Sequence, residues 1–118
     1  MATQAQIDNV LKKLATIEGS LGGLIVDSEG MVIASQVDKS LPSEKIAALA
    51  SQVVAMARRV LAEAKLGDPD QLLFEGTNGK FSLIYSKKGG FFISLFGRSE
   101  MNLGMARLQL DEALEDLA

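Results

Sequence analysis

The side chains best suited to chemistry in this sequence are few, and most have a simpler reading. Arg58-Arg59 places two guanidinium groups side by side within an apolar-periodic segment. An arginine delivered in trans can stabilise charge on a transferring phosphoryl group, but only from a surface that docks over the nucleotide. Arginines on a helix more commonly pair with acidic groups of a partner, so these two are assigned as contacts and not as catalysts. Asp27-Ser28-Glu29-Gly30 resembles the end of a calcium loop, yet the earlier positions that would carry acidic ligands are Ile25 and Gly23, so it reads as a turn. Gly79-Lys80 is followed by Phe81, and the glycine that a phosphate loop needs five residues upstream of Gly79 is Phe74, so no bound nucleotide is expected. Asp68 and Asp70 flank Pro69 in a loop, and Asp111, Glu112, Glu115 and Asp116 form the solvated face of a helix. No catalytic, cofactor-binding or metal-binding residue is assigned.

The residue counts narrow the field further. The 118 residues include no Cys and no His, which removes disulfides, thiolate nucleophiles, zinc ribbons, imidazole ligands and the Ser-His-Asp triad. With 47% hydrophobic and 23% charged residues the chain is expected to fold as one globular domain over 1–118. Lys and Arg number 12 against 15 Asp and Glu, a net charge of -3, the wrong sign for coating phosphates. Basic residues pair only locally, at Lys12-Lys13, Arg58-Arg59 and Lys87-Lys88, so nucleic acid is not an expected partner. The amino-terminal residues have no basic stretch followed by an apolar run, and no apolar segment approaches a membrane span. A cytoplasmic protein without membrane insertion is expected.

These residues must be held by elements the pattern makes visible. Ile7, Val10, Leu11, Leu14 and Ile17 recur at helical spacing, with Thr3 and Gln6 spaced as a capping box and Gly19 as the stop. Gly22–Asp27 and Met31–Ser35 read as strands joined by Ser28-Glu29-Gly30. Pro42 and Glu44 open a long helix that runs to about Lys65, before Gly67 and Pro69. Strands are expected at Gln71–Glu75, Phe81–Tyr85 and Phe91–Phe96, with turns at Asn78-Gly79 and Gly89-Gly90. A last helix follows, with Ser99 as N-cap and Leu103, Ala106, Leu110, Leu114 and Leu117 inward. The order helix-strand-strand-helix-strand-strand-strand-helix predicts an α+β fold, a five-stranded, mainly antiparallel sheet with helices on both faces.

Such a subunit looks incompletely covered. Leu24-Ile25-Val26, Leu72-Leu73-Phe74 and Phe91-Phe92-Ile93 are apolar on both faces, and strands of that kind need cover on each side. Five strands span roughly 24 Å, whereas one helix is about 10 Å wide. The two terminal helices can share one face, but the central helix alone covers less than half of the other. A second copy is the simplest source of the missing cover. On the central helix, Ile46, Leu49, Ala50, Val53, Ala57, Val60, Leu61 and Ala64 are expected to face the sheet. Ala48, Ala55 and Ala62 repeat every seventh residue on the opposite side, either as surface filler or as a close-contact row. Leu72, Leu73, Phe74 and Glu75 carry little charge, which fits an edge strand that pairs with its symmetry mate, or an interior strand of a monomer.

Two motifs carry a family resemblance. Glu18-Gly19-Ser20-Leu21-Gly22-Gly23-Leu24-Ile25-Val26-Asp27-Ser28-Glu29-Gly30-Met31-Val32-Ile33-Ala34-Ser35 resembles the Gly-spaced strand, Asp-x-x-Gly turn and second strand of the roadblock domains, named for a dynein light chain. Asn102-Leu103-Gly104-Met105-Ala106-Arg107 is similar to the opening of that family's last helix. The resemblance implies a homodimer or heterodimer built through the central helix and the following strand, with a ten-stranded sheet. It also implies a platform for Ras-like small GTPases, met by the paired central helices. Carried over, the partner-facing candidates are Ala48, Ser51, Gln52, Ala55, Arg58, Arg59 and Ala62. The expected function is a non-enzymatic homodimeric scaffold or regulator. The alternative is a small-molecule sensor or enzyme with a pocket between helices and sheet.

Overall fold

Capping and turn chemistry fix the element boundaries along this chain. A computed structural model describes residues 3–86 and 89–117. Helix α1 spans Gln4–Ala15, and its start is a reciprocal capping box: the Gln6 N–H donates to Thr3 Oγ1 at 3.2 Å, and the Thr3 N–H donates to Gln6 Oε1 at 2.8 Å. The helix stops at Ala15, with Thr16 as its cap, earlier than Gly19. Strands β1 (Ser20–Asp27) and β2 (Val32–Val37) form the first hairpin, and helix α2 covers Ser43–Glu63. Strands β3 (Gln71–Gly76), β4 (Gly79–Ser86) and β5 (Phe91–Arg98) follow, and helix α3 (Leu103–Leu117) ends the described chain.

Helix α2 ends close to the expected Lys65, while the β3–β4 turn and the N-cap of α3 differ from the sequence expectation, each for a local reason. Helix α2 ends before Gly67 and Pro69 because Lys65 turns left-handed at φ 60°, so that Leu66 N–H reaches Leu61 C=O at 2.8 Å and Lys65 N–H reaches Ala62 C=O at 3.1 Å. The β3–β4 turn is Thr77-Asn78, one residue earlier than expected, because Gly76 and Gly79 close the ladder as a pair. The N-cap of α3 is Asn102, whose Oδ1 accepts the Met105 N–H at 3.0 Å. Ser99 does not cap: its carbonyl accepts Lys80 Nζ at 3.0 Å, and the same ammonium donates to Met101 C=O at 2.9 Å. The Gly89-Gly90 turn is present, with Gly90 at φ 69°, while the basic pair Lys87-Lys88 lies outside the described residues.

The sheet order is β2-β1-β5-β4-β3, and every neighbouring pair is antiparallel. Alternate residues of each strand therefore face opposite sides. Ile25, Ile84, Ile93 and Leu95 pack with Val10, Leu11 and Leu14 of α1 and with Ala106, Leu110, Ala113 and Leu117 of α3. On the other side, Leu24, Val26, Leu83 and Phe92 pack with Ala50 and Val54 of α2 alone. Each fully buried aliphatic side chain contributes about 1.5–3 kcal/mol, so both layers stabilise the sheet. The fully buried hydroxyl of β5 is satisfied locally: Ser94 Oγ accepts the Leu24 N–H at 3.0 Å and donates to Leu24 C=O at 3.2 Å. Two helices on one face and one on the other leave the α2 side thinly roofed.

Candidate interaction surface

The thin roof shows first on α2. Ala50 and Val54 are buried, and Ile46, Ala47 and Val53 are half-buried against the same layer. Leu49 and Val60, expected to face the sheet, do not: they are 51% and 59% exposed, and Met56 is 56% exposed beside them. The sheet-facing stripe runs instead through Ala47, Ala50, Val54 and Leu61, rotated away from them. The apolar arc of α2 is simply wider than one helix can press against one sheet. Ile46, Leu49, Val53, Met56 and Val60 alternate in steps of three and four, the spacing of a helix-pairing seam. The buried stripe repeats at the same spacing, so exposure and not periodicity separates the two.

Strand β3 supplies the second part of the surface. It stands at the sheet edge, with β4 as its one neighbour, so one row of its backbone groups has no strand partner among the described residues. An interior position for Leu72-Leu73-Phe74 is thereby ruled out. Leu72 and Phe74 lie opposite Leu83 and Phe81 and so share the α2 face, whereas Leu73 and Glu75 point to the other. Phe74 is 49% exposed although it is one of the largest apolar side chains in the chain. Between β3 and α2 lies an open trough of about 510 Å³, lined by Val53, Met56, Ala57, Val60, Leu61, Leu72 and Phe74, with Gln71 as its one polar residue. The exposed flank of the helix and the open edge of the sheet are thus one continuous apolar surface.

The residues carried over from the family resemblance occupy the rest of α2. Ala48, Gln52, Ala55, Arg59 and Ala62 are exposed, and Ser51 and Arg58 are half-buried. They form the top of the helix, with Leu49, Met56 and Val60 along one flank. Ser51 Oγ donates back to Ala47 C=O at 3.3 Å, which leaves the hydroxyl close to the helix and the surface low at that point. Sequence reading therefore located the top of the helix but not its apolar flank.

A smaller cleft lies on the opposite face, between α3 and the outer strands. Its volume is about 240 Å³, and Leu73, Ile84, Leu103 and Leu110 are among its lining residues. Its one charged side chain is already engaged: Arg107 Nε pairs with Asp111 at 3.0 Å, and Nη1 donates to Gln71 Oε1. Among the described residues, no group of three or more acidic side chains is placed to hold a metal ion, and no helix is long and apolar enough to cross a membrane.

With a five-stranded antiparallel sheet, a lone central helix on one face and an open apolar edge established, comparison with known proteins gives the class. The Roadblock/LC7 domain family matches residues 6–96, and the chain belongs to that family. Uncharacterized protein MJ1340 of Methanocaldococcus jannaschii is 33% identical over 111 residues, covering 94% of this chain and 96% of that protein. MglB of Myxococcus xanthus has the same fold, with a TM-score of 0.84 at 17% identity over 97% of this chain and 93% of that one. The gliding protein MglB of Thermus thermophilus gives a TM-score of 0.79 at 18% identity, covering 97% of this chain and 87% of that one.

Proposed function

We propose that this chain is a non-enzymatic scaffold or regulator of the roadblock type, which acts as a homodimer and binds a Ras-like small GTPase in the cytoplasm. The observation that carries the reading is the largely apolar trough lined by Met56 and Val60 of α2 and Leu72 and Phe74 of the open edge strand, with Leu49 exposed further along the same flank of the helix. A surface of that kind on a soluble subunit marks a contact site, and an unpaired edge of low charge invites another strand. One twofold operation answers both. Antiparallel pairing of β3 with its symmetry mate would extend the sheet to ten strands, and the same operation would bring the two α2 flanks together above the seam. A second copy also supplies the cover that one helix cannot give.

Pairing would leave the tops of both α2 helices side by side on the outside. Ala48, Ser51, Gln52, Ala55, Arg58, Arg59 and Ala62 of each copy would then form one low, composite platform. Its small side chains allow a globular partner to approach closely, and Arg58 and Arg59 supply charged contacts at one end of each helix. Family membership supports a regulatory role, and the fold shared with MglB, a gliding protein in Thermus thermophilus, supports the same assignment. The partner class is what the resemblance of Glu18 to Ser35 and Asn102 to Arg107 to the roadblock domains implies.

The test uses the purified dimer and a purified Ras-like small GTPase from the same genome, loaded with a non-hydrolysable GTP analogue. Ala55→Glu, or Arg58→Glu with Arg59→Glu, should abolish binding while the mass and the circular dichroism of the dimer stay as in the wild type. Wild-type binding by both variants would contradict the platform.

A further inference from the structure

We infer that the cleft between α3 and the outer strands binds a small apolar carboxylate, with Arg107 meeting its charged end and the sheet taking its apolar end. The cleft follows from how the sheet is roofed. A helix is about 10 Å wide and covers roughly two strands, and α3 shares its buried layer with Ile84 of β4 and with Ile93 and Leu95 of β5. Strand β3 lies one place further out. Leu73 pairs with Ser82, and Ser82 with Leu95, so all three face the α3 side, yet Leu73 remains 43% exposed.

The opening this leaves is about 240 Å³, with Leu73 and Ile84 on its strand side and Leu103, Arg107 and Leu110 on its helix side. A dry apolar cavity of about 150 Å³ is enough for benzene, so this one has room for a ring or a branched chain with one polar group attached. Such a ligand would give Leu73 the cover that α3 does not reach far enough to provide.

The polar groups at the cleft call for an acceptor. Ser82 is only 8% exposed and lines the cleft, and its hydroxyl has no hydrogen-bond partner among the described residues. Arg107 has five N–H donors, of which Nε goes to Asp111 at 3.0 Å and one on Nη1 goes to Gln71 Oε1, so three remain. These two bonds hold the guanidinium at the rim, and they leave the Gln71 NH2 as a further donor. A carboxylate answers that set with two charged oxygens. Asp111 leaves room for it, because the Arg107–Asp111 pair is half-exposed on both sides and screened by water. The cleft is on the face of the sheet away from α2, so the inference does not rest on the partner platform.

The probe is benzoate, titrated into the purified, isotope-labelled protein and followed by NMR. It should give saturable shifts at the amides of Leu73, Ser82, Gly104 and Arg107, with a dissociation constant on the order of a millimolar, the range open to a ligand of this size. Benzyl alcohol, which keeps the ring and lacks the charge, should bind about tenfold more weakly or worse. Arg107→Gln should weaken benzoate by about tenfold or more, Arg107→Lys should recover part of that loss, and Ser82→Ala should cost about threefold, all with wild-type circular dichroism. No saturable shift with benzoate, equal affinity for benzyl alcohol, or wild-type affinity in Arg107→Gln would each overturn the site. None of these results touches the platform reading, which draws on the other face of the sheet.

Discussion

The rings of Phe74 and Phe81 meet edge to face, their centroids 5.9 Å apart and their planes inclined at 71°. Phe81 in turn stacks on Phe96 at 4.6 Å and 18°, so a file of three aromatic rings crosses β3, β4 and β5 on the α2 side of the sheet. The file begins at a half-exposed edge residue and runs inward. Its outer member, Phe74, is 49% exposed.

Phe74 should accordingly matter more to association than to folding. Phe74→Ala removes a half-exposed ring, and Met56→Glu adds a charge to an exposed flank, so neither disturbs the buried layer. Both should weaken self-association by about tenfold or more, with the thermal unfolding of the dissociated subunit changed little. Analytical ultracentrifugation across a concentration series reads the first quantity, and melting at the lowest concentration reads the second.

Gly23 should tolerate no side chain. A Cβ there would strike the Ser94 carbonyl oxygen of the neighbouring strand, a backbone atom in the middle of the sheet that has no room to move. Gly23→Ala should cost at least about 2 kcal/mol. Urea denaturation should show a lower midpoint with an unchanged slope, or no folded protein at all.

Lys65 offers the opposite outcome. It holds φ 60° at the end of α2, a conformation that costs a side-chain-bearing residue about 1–2 kcal/mol and glycine far less. Part of that gain is lost to the greater freedom of glycine in the unfolded chain. Lys65→Gly should therefore stabilise the protein by about 0.5–1 kcal/mol, which calorimetry would register as a melting point higher by a few degrees.

Asp38 gives a pH-dependent signature. The Ser40 hydroxyl donates to Asp38 Oδ2, the Ser40 N–H donates to the same oxygen at 3.0 Å, and Arg98 adds a weaker attraction. Together they hold the carboxyl below the ordinary aspartate value of 3.8. A depressed value means that the stabilisation is present above the ordinary aspartate range and is lost as pH falls through the lowered one. Ser40→Ala should raise the Asp38 midpoint in an NMR titration, and its effect on stability should be visible at neutral pH and fade in acid. An unchanged midpoint would contradict the role given to the hydroxyl.

The fold was largely legible because its local signals agree. The Thr3 and Gln6 box, the Asp27 to Gly30 turn and the hairpin glycines each act within a few residues, and the element order left few arrangements open. Lys65 turns left-handed just after the end of α2, and Asn102, directly before Leu103, caps α3 where the sequence suggests Ser99.

The interaction surface was less legible. Periodicity shows that a helix has an apolar arc but not how much of that arc one sheet can bury, which is why Leu49 and Val60 were assigned to the interior. Nor does sequence spacing reveal that Gly30 touches Ser51, since 21 positions separate them and the contact exists only once β1, β2 and α2 are assembled. The glycines at 22 and 23 could be read as a motif, whereas the reason for Gly23, the carbonyl of Ser94 across the sheet, is tertiary.

The most direct test of the account is the mass of the purified wild-type protein in solution, by sedimentation equilibrium at micromolar concentration. Closure of the α2 and β3 surface by a second copy predicts twice the 12.6 kDa chain mass, falling toward the single-chain value in Met56→Glu. A stable particle of 12.6 kDa across the whole concentration range would contradict it.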